Sequence, residues 1–169
     1  MRTFLSGTSS GLGPVICRSP DFRNGAAACR ILVVDDDMGV RGAIDAVLSQ
    51  EGFDVVLADG GSAGLKALKG SHFDAVLIDI FMPGMDGLEA IRSFRAAAPG
   101  VPLVAMSGFL PRDAMATAPD FLKMATRLGA AYSLRKPFRP KELLGVVEAC
   151  LARDQGRSGA GGSSQNSAA

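Results

Sequence analysis

The sequence predicts an α/β fold of five βα units: a doubly wound parallel sheet covered by helices on both faces. Three observations predict it. Short apolar, β-branched runs alternate five times with segments of helical periodicity. Most connections between them are short. The central run, Ala75 to Asp79, is continuously apolar until its last residue, the pattern of a strand buried on both faces.

Taken in order, Arg30-Ile-Leu-Val-Val34 is the first strand. Asp35-Asp36-Asp37 follows, and Asp37 is best placed to cap a helix from Val40 to Glu51, which Gly52 stops. Asp54 to Ala58 is the second strand. Ser62 is expected to cap a short amphipathic helix, Ala63 to Lys69, with Leu65, Ala67 and Leu68 on its apolar side. Ala75 to Asp79 is the third strand, and Asp86 caps Leu88 to Ala97, with Leu88, Ile91 and Phe94 at helical spacing. Pro102 to Met106 is the fourth strand, ending at Ser107. A loop over 109–118 precedes a helix from Phe121 to Leu128, capped by Asp120. Tyr132 to Leu134 is a short fifth strand leading into Lys136-Pro137-Phe138. The last helix runs from Lys141 to Arg153, with Leu143, Leu144, Val147 and Leu151 facing inward.

Composition divides the 169 residues into three zones. Residues 1–28 mix Gly, Ser, Pro and Arg without periodicity and read as a leader. Residues 29–153 are the folded unit, and 154–169 read as a flexible Gly/Ser-rich tail. With 18 basic and 17 acidic residues the net charge is +1, so no electrostatic footprint for nucleic acid is expected. Three cysteines, an odd number without a C-x-x-C pair, argue against a disulfide framework or zinc site and for a reducing compartment. Cys150 reads as a small core residue and His72 as a surface loop residue without a partner nearby in sequence. No signal peptide and no membrane-spanning stretch is legible, which makes the expected location cytoplasmic.

The chemistry gathers at strand ends. In a parallel sheet the carboxyl ends share one edge, where ligand crevices form. That edge receives Asp35 and Asp36 from the first strand, Asp79 from the third, Ser107 from the fourth and Lys136 from the fifth. Carboxylates on neighbouring ends make a hard oxygen site suited to Mg²⁺. With a hydroxyl and an ammonium added, the groups for phosphoryl transfer are all present: Asp79 as nucleophile, Lys136 as fixed positive charge, Ser107 as hydrogen-bond donor.

Four motifs, ILVVDDD, LIDIFMPGMDG, VAMSG and KPF, occur in the order and near the spacing of two-component response-regulator receiver domains, which residues 30–153 resemble. The resemblance implies a flavodoxin-like (βα)5 fold with strand order 2-1-3-4-5. It implies a chain that catalyses its own phosphorylation and dephosphorylation at Asp79, with a sensor histidine kinase or a histidine phosphotransfer protein as donor. It further implies Mg²⁺ held by Asp36, Asp79 and the Phe81 backbone carbonyl, with Asp35 on a metal-bound water. Ser107 and Lys136 would contact the phosphoryl group, and Lys136–Pro137 would be cis. The chain would be a stand-alone receiver that signals to another protein through the face built from the fourth helix, fifth strand and fifth helix, without nucleic acid or membrane. Its phosphate would return to solvent or pass onward in a relay.

Three departures from the family pattern stand out. The usual switch-aromatic position is Ser133, and the only tyrosine is its neighbour Tyr132, which leaves the coupling open between Tyr132 and a phenylalanine. The stretch from Ser107 to Gly129 is longer than usual by roughly two helical turns. No effector domain is expected after the last helix. The positions two past Asp79 and two past Ser107 are Phe81 and Phe109, whose bulk is expected to hinder water and lengthen the life of an acyl phosphate.

Two other readings compete. A small Mg²⁺ phosphatase of the haloacid-dehalogenase type would use Asp35 in Asp35-x-Asp37, but Gly39 stands where that chemistry needs Thr or Val, and Asp79 is left idle. Ser6 to Gly13 with Tyr132-x-x-x-Lys136 mimics short-chain dehydrogenases. No helix pattern follows those glycines, and Pro137 disfavours helix at Lys136.

Overall fold

The computed structural model describes residues 28–84, 86–108 and 121–158. Its elements alternate throughout: β1 (Arg30–Val34), α1 (Met38–Gln50), β2 (Asp54–Ala58), α2 (Gly61–Gly70), β3 (Ala75–Asp79), α3 (Gly87–Ala97), β4 (Leu103–Ser107), α4 (Phe121–Arg127), β5 (Tyr132–Arg135) and α5 (Pro140–Ser158). The five strands pair in parallel in the order β2-β1-β3-β4-β5. That is the flavodoxin-like order the resemblance implies. Right-handed crossovers then place α1 and α5 on one face and α2, α3 and α4 on the other.

Side-chain alternation between two cores explains why the central strands are apolar at every interior position. Ile31, Val33, Ala75, Leu77, Val104 and Met106 join Ile44, Leu48, Leu143 and Val147 in the core beneath α1 and α5. Leu32, Val34, Val76, Ile78, Leu103 and Ala105 join Ile91 and Phe94 in the opposite core. The edge strands β2 and β5 bury fewer of their residues.

Local signals set the helix ends. The Asp37 carboxylate accepts from the Gly39 and Val40 N–H groups, and Asp86 caps α3 in the same way through Leu88 and Glu89. α1 closes with Phe53 N–H on Leu48 O and Gly52 N–H on Ser49 O, a Schellman motif that needs the left-handed backbone of Gly52 at φ 80°.

Several expectations are corrected. α2 begins at Gly61 with Gly60 at its cap, so Ser62 lies inside the helix and does not cap it; a glycine followed by small residues leaves the first turn room to start early. α5 runs through Ser158, past the expected end at Arg153 and into the stretch read as tail, because Ala152 to Gln155 carries no helix breaker. Cys29 is buried and takes part in a disulfide, against the expectation of reduced cysteines, whereas Cys150 is a buried core residue outside any disulfide. His72 is exposed but does have a neighbour, its Nε2 lying 3.5 Å from Asp74 Oδ1. The 109–118 loop, the Asp120 cap, the leader and most of the tail lie outside the described residues. Among those described, no helix is long and apolar enough to cross a membrane.

Candidate functional site

Register brings the expected residues to one edge of the sheet. Val34 pairs with Ile78, so Asp35 leaves β1 beside the end of β3, where Asp79 stands. Asp79 pairs with Met106, and Ser107 with Arg135, which puts Lys136 next to the end of β4. Lys136 N–H donates to Ser107 O at 2.7 Å, and the Lys136–Pro137 peptide is cis, as the resemblance implies.

The side chains converge. Lys136 Nζ donates to Asp35 Oδ2 at 2.5 Å and to Asp79 Oδ2 at 2.6 Å. The second oxygen of each carboxylate takes a backbone amide: Asp37 N–H on Asp35 Oδ1 and Phe81 N–H on Asp79 Oδ1, both at 2.9 Å. Asp35, Asp79 and Ser107 are all buried. Two buried carboxylates this close repel, and the ammonium between them offsets that repulsion.

The protonation equilibria record the same balance. Burial pushes the Asp35 carboxyl above the ordinary value, against the pull of Lys136 and the Asp37 amide. Burial alone would lower the Lys136 ammonium, but its bonds to Asp35 and Asp79 more than reverse this and raise it. The Val40 and Gly39 amides hold the Asp37 carboxyl down, consistent with its role as a helix cap.

Asp36 completes the group from the exposed side. Carboxylate oxygens of Asp35, Asp36 and Asp79 all lie within 4.8 Å of one another. Three hard oxygen donors, two buried and one open to solvent, fit a divalent cation such as Mg²⁺, which keeps part of its water. Phe81 is 39% exposed beside this opening.

Two outcomes refine the sequence reading. Tyr132 is half-buried against the core beneath α1 and α5, whereas alternation along β4 puts the Ser107 side chain toward the opposite face. Tyr132 therefore cannot take the place of an aromatic at Ser133, which is itself exposed. Sequence reasoning missed Arg41: its Nη1 donates to the Asp35 carbonyl at 2.6 Å. The one signal for it was its place one turn after the Asp37 cap, where a long donor can fold back onto the acidic loop.

Comparison with known proteins points to one family. The family model for the response regulator receiver domain matches residues 31–148. The DNA-binding response regulator MtrA of Mycolicibacterium smegmatis is 38% identical over 126 residues, which is 75% of this chain and 52% of that protein. The transcriptional regulatory protein FixJ of Bradyrhizobium diazoefficiens is 34% identical over 125 residues, 72% of this chain and 56% of FixJ. The chain thus matches only about half the length of these curated relatives. Among solved structures, a CheY-like receiver domain protein from Methanospirillum hungatei superposes with a TM-score of 0.67 at 25% identity, covering 78% of this chain and 99% of its own.

Proposed function

The chain belongs to the response regulator receiver family, and from that premise we propose that Asp79 accepts a phosphoryl group from a phosphohistidine and acts as a two-state signalling switch. An Asp79 carboxylate oxygen forms the new bond to phosphorus, the phosphorus–nitrogen bond of the donor imidazole breaks, and the ring nitrogen leaves with its electron pair. Lys136, released from bridging two carboxylates, supplies a positive charge to the phosphoryl oxygens, and the Ser107 hydroxyl donates to one of them. Asp35, Asp36, Asp79 and the Phe81 carbonyl would hold Mg²⁺, which when bound adds charge stabilisation to the transferring group. The observation that carries the reading is the Lys136 ammonium joined to both Asp35 and Asp79 at the carboxyl edge of the sheet.

The phosphatase alternative is less well supported. Its nucleophile would be Asp35, which has no exposed surface and has both oxygens bonded. The receiver reading places the protein in the cytoplasm, with a sensor kinase or phosphotransfer protein as donor and a protein partner on the face of α4, β5 and α5. Arg135 and Lys141 are exposed on those elements and favour an acidic partner.

Incubation with a phosphorylated histidine phosphotransfer protein tests the proposal. Label should move to this chain in Mg²⁺ and stay on the donor in a chelator. Transfer that is indifferent to both the chelator and the Asp79→Asn substitution refutes it.

A further inference from the structure

The three carboxylates proposed for the metal are held in different ways. Asp35 and Asp79 each have both oxygens bonded within the protein. Asp36 is exposed, and none of the described hydrogen bonds or ion pairs involves its carboxylate. Its direction must therefore come from the backbone.

Both peptide groups that flank Asp36 are clamped by side chains. On the C-terminal side, Asp37 N–H donates to Asp35 Oδ1 at 2.9 Å. On the N-terminal side, the Asp35 carbonyl accepts from Arg41 Nη1 at 2.6 Å. Arg41 is itself well anchored, since its own N–H bonds Asp37 O at 3.0 Å in the first turn of α1 and the residue is half-buried. Because peptide groups are planar, fixing the two on either side of Asp36 fixes its φ and ψ and the direction of its Cα–Cβ bond.

We propose that Arg41 is a positioning residue for the cation site, its guanidinium locking the Asp35–Asp36 peptide so that the Asp36 carboxylate is preset beside Asp35 and Asp79. The inference rests on the reading of those three residues as a divalent-cation site. It ascribes to Arg41 a role opposite in sign to that of its charge. A guanidinium near the acidic loop repels an arriving cation, so a purely electrostatic Arg41 weakens metal binding and its removal tightens it. A positioning Arg41 strengthens binding by removing the disorder Asp36 would otherwise lose on ligation.

Calorimetric titration of Mg²⁺ into the full chain separates the two. Arg41→Met is expected to bind about tenfold more weakly than wild type, at the low end for outer-shell partners of metal ligands because the lost repulsion offsets part of the effect. Arg41→Lys keeps the charge but shortens the reach and loses the fork, so it should fall between them. In the metal-free protein, amide exchange at Asp37 should be faster in Arg41→Met, while the thermal midpoint remains close to wild type. A Met variant that binds Mg²⁺ as tightly as wild type, or more tightly, overturns the proposal. Should that variant fail to fold, a Lys variant equal to wild type overturns it and a weaker one supports it. If wild type binds no Mg²⁺, or Asp36→Asn binds it equally well, the cation-site reading itself fails and this proposal with it.

Discussion

Lys136→Met is the substitution whose consequence the structure fixes most closely. The ammonium bonds Asp35, which has no exposed surface, and Asp79, which is 5% exposed. Removing one partner of a buried ion pair costs about 3–5 kcal/mol, because a charge is left uncompensated. Protonation provides an escape. Placing a proton at pH 7 on a carboxyl of ordinary value 3.8 costs about 4 kcal/mol. Asp35, already pushed up by burial, would take that proton, so the loss at pH 7 should be about 3 kcal/mol. The folded variant then binds more protons than the unfolded chain between the ordinary value and neutrality. Its stability therefore falls as pH rises through that window, by at most about 1.4 kcal/mol per unit for one proton. In the wild type the raised Lys136 value gives a contribution that is complete below 10.5 and is lost as pH rises through the folded value, well above this window. Urea denaturation followed by far-ultraviolet circular dichroism, from about pH 5 to pH 7, measures the effect. A loss below about 1 kcal/mol that is the same at every pH refutes the buried-pair argument.

Three further outcomes are expected. A Cβ on Gly87 would lie 1.9 Å from Ile80 O, so Gly87→Ala must displace the start of α3 from the chain leaving Asp79; we expect a loss of about 1–3 kcal/mol in urea and weaker Mg²⁺ binding, and an unchanged midpoint contradicts this. Asp37→Ala should destabilise the chain near neutrality through the lost cap; because the Asp37 value is lowered, that difference should shrink as pH falls through it, and a constant gap in denaturation midpoint down to acid pH rules the cap account out. Phe81→Asn should speed loss of phosphate from Asp79, since a polar group replaces the ring at the site opening; a slower or unchanged rate, measured by decay of label, removes steric shielding as a cause.

The legibility of the sequence varied with the physics behind each signal. β1 and β3 are readable to the residue because strands buried on both faces are unbroken apolar runs, here each ending at a carboxylate. The Asp37 and Asp86 caps were readable because side-chain capping has a local signature, whereas the bare Gly60 start of α2 has none. Asp35, Asp79, Ser107 and Lys136 were legible as a set through their strand ends. That Lys136 would bridge Asp35 as well as Asp79 depends on register across β1, β3, β4 and β5, which no single segment encodes. Arg41 bonds a carbonyl, and a backbone acceptor marks a sequence only through the position of its donor, here one turn after the Asp37 cap. Tyr132 and Ser107 face opposite cores only because of the parity of β5 against β4, which neither segment encodes alone.

The central claim concerns one carboxyl group, and peptide mapping by mass spectrometry after treatment with a small phosphodonor and Mg²⁺ addresses it directly. The account predicts a single phosphoryl group on the peptide that carries Asp79, and none on the same peptide of Asp79→Ala. A phosphoryl group that persists in that variant, or that maps to Asp35, contradicts it.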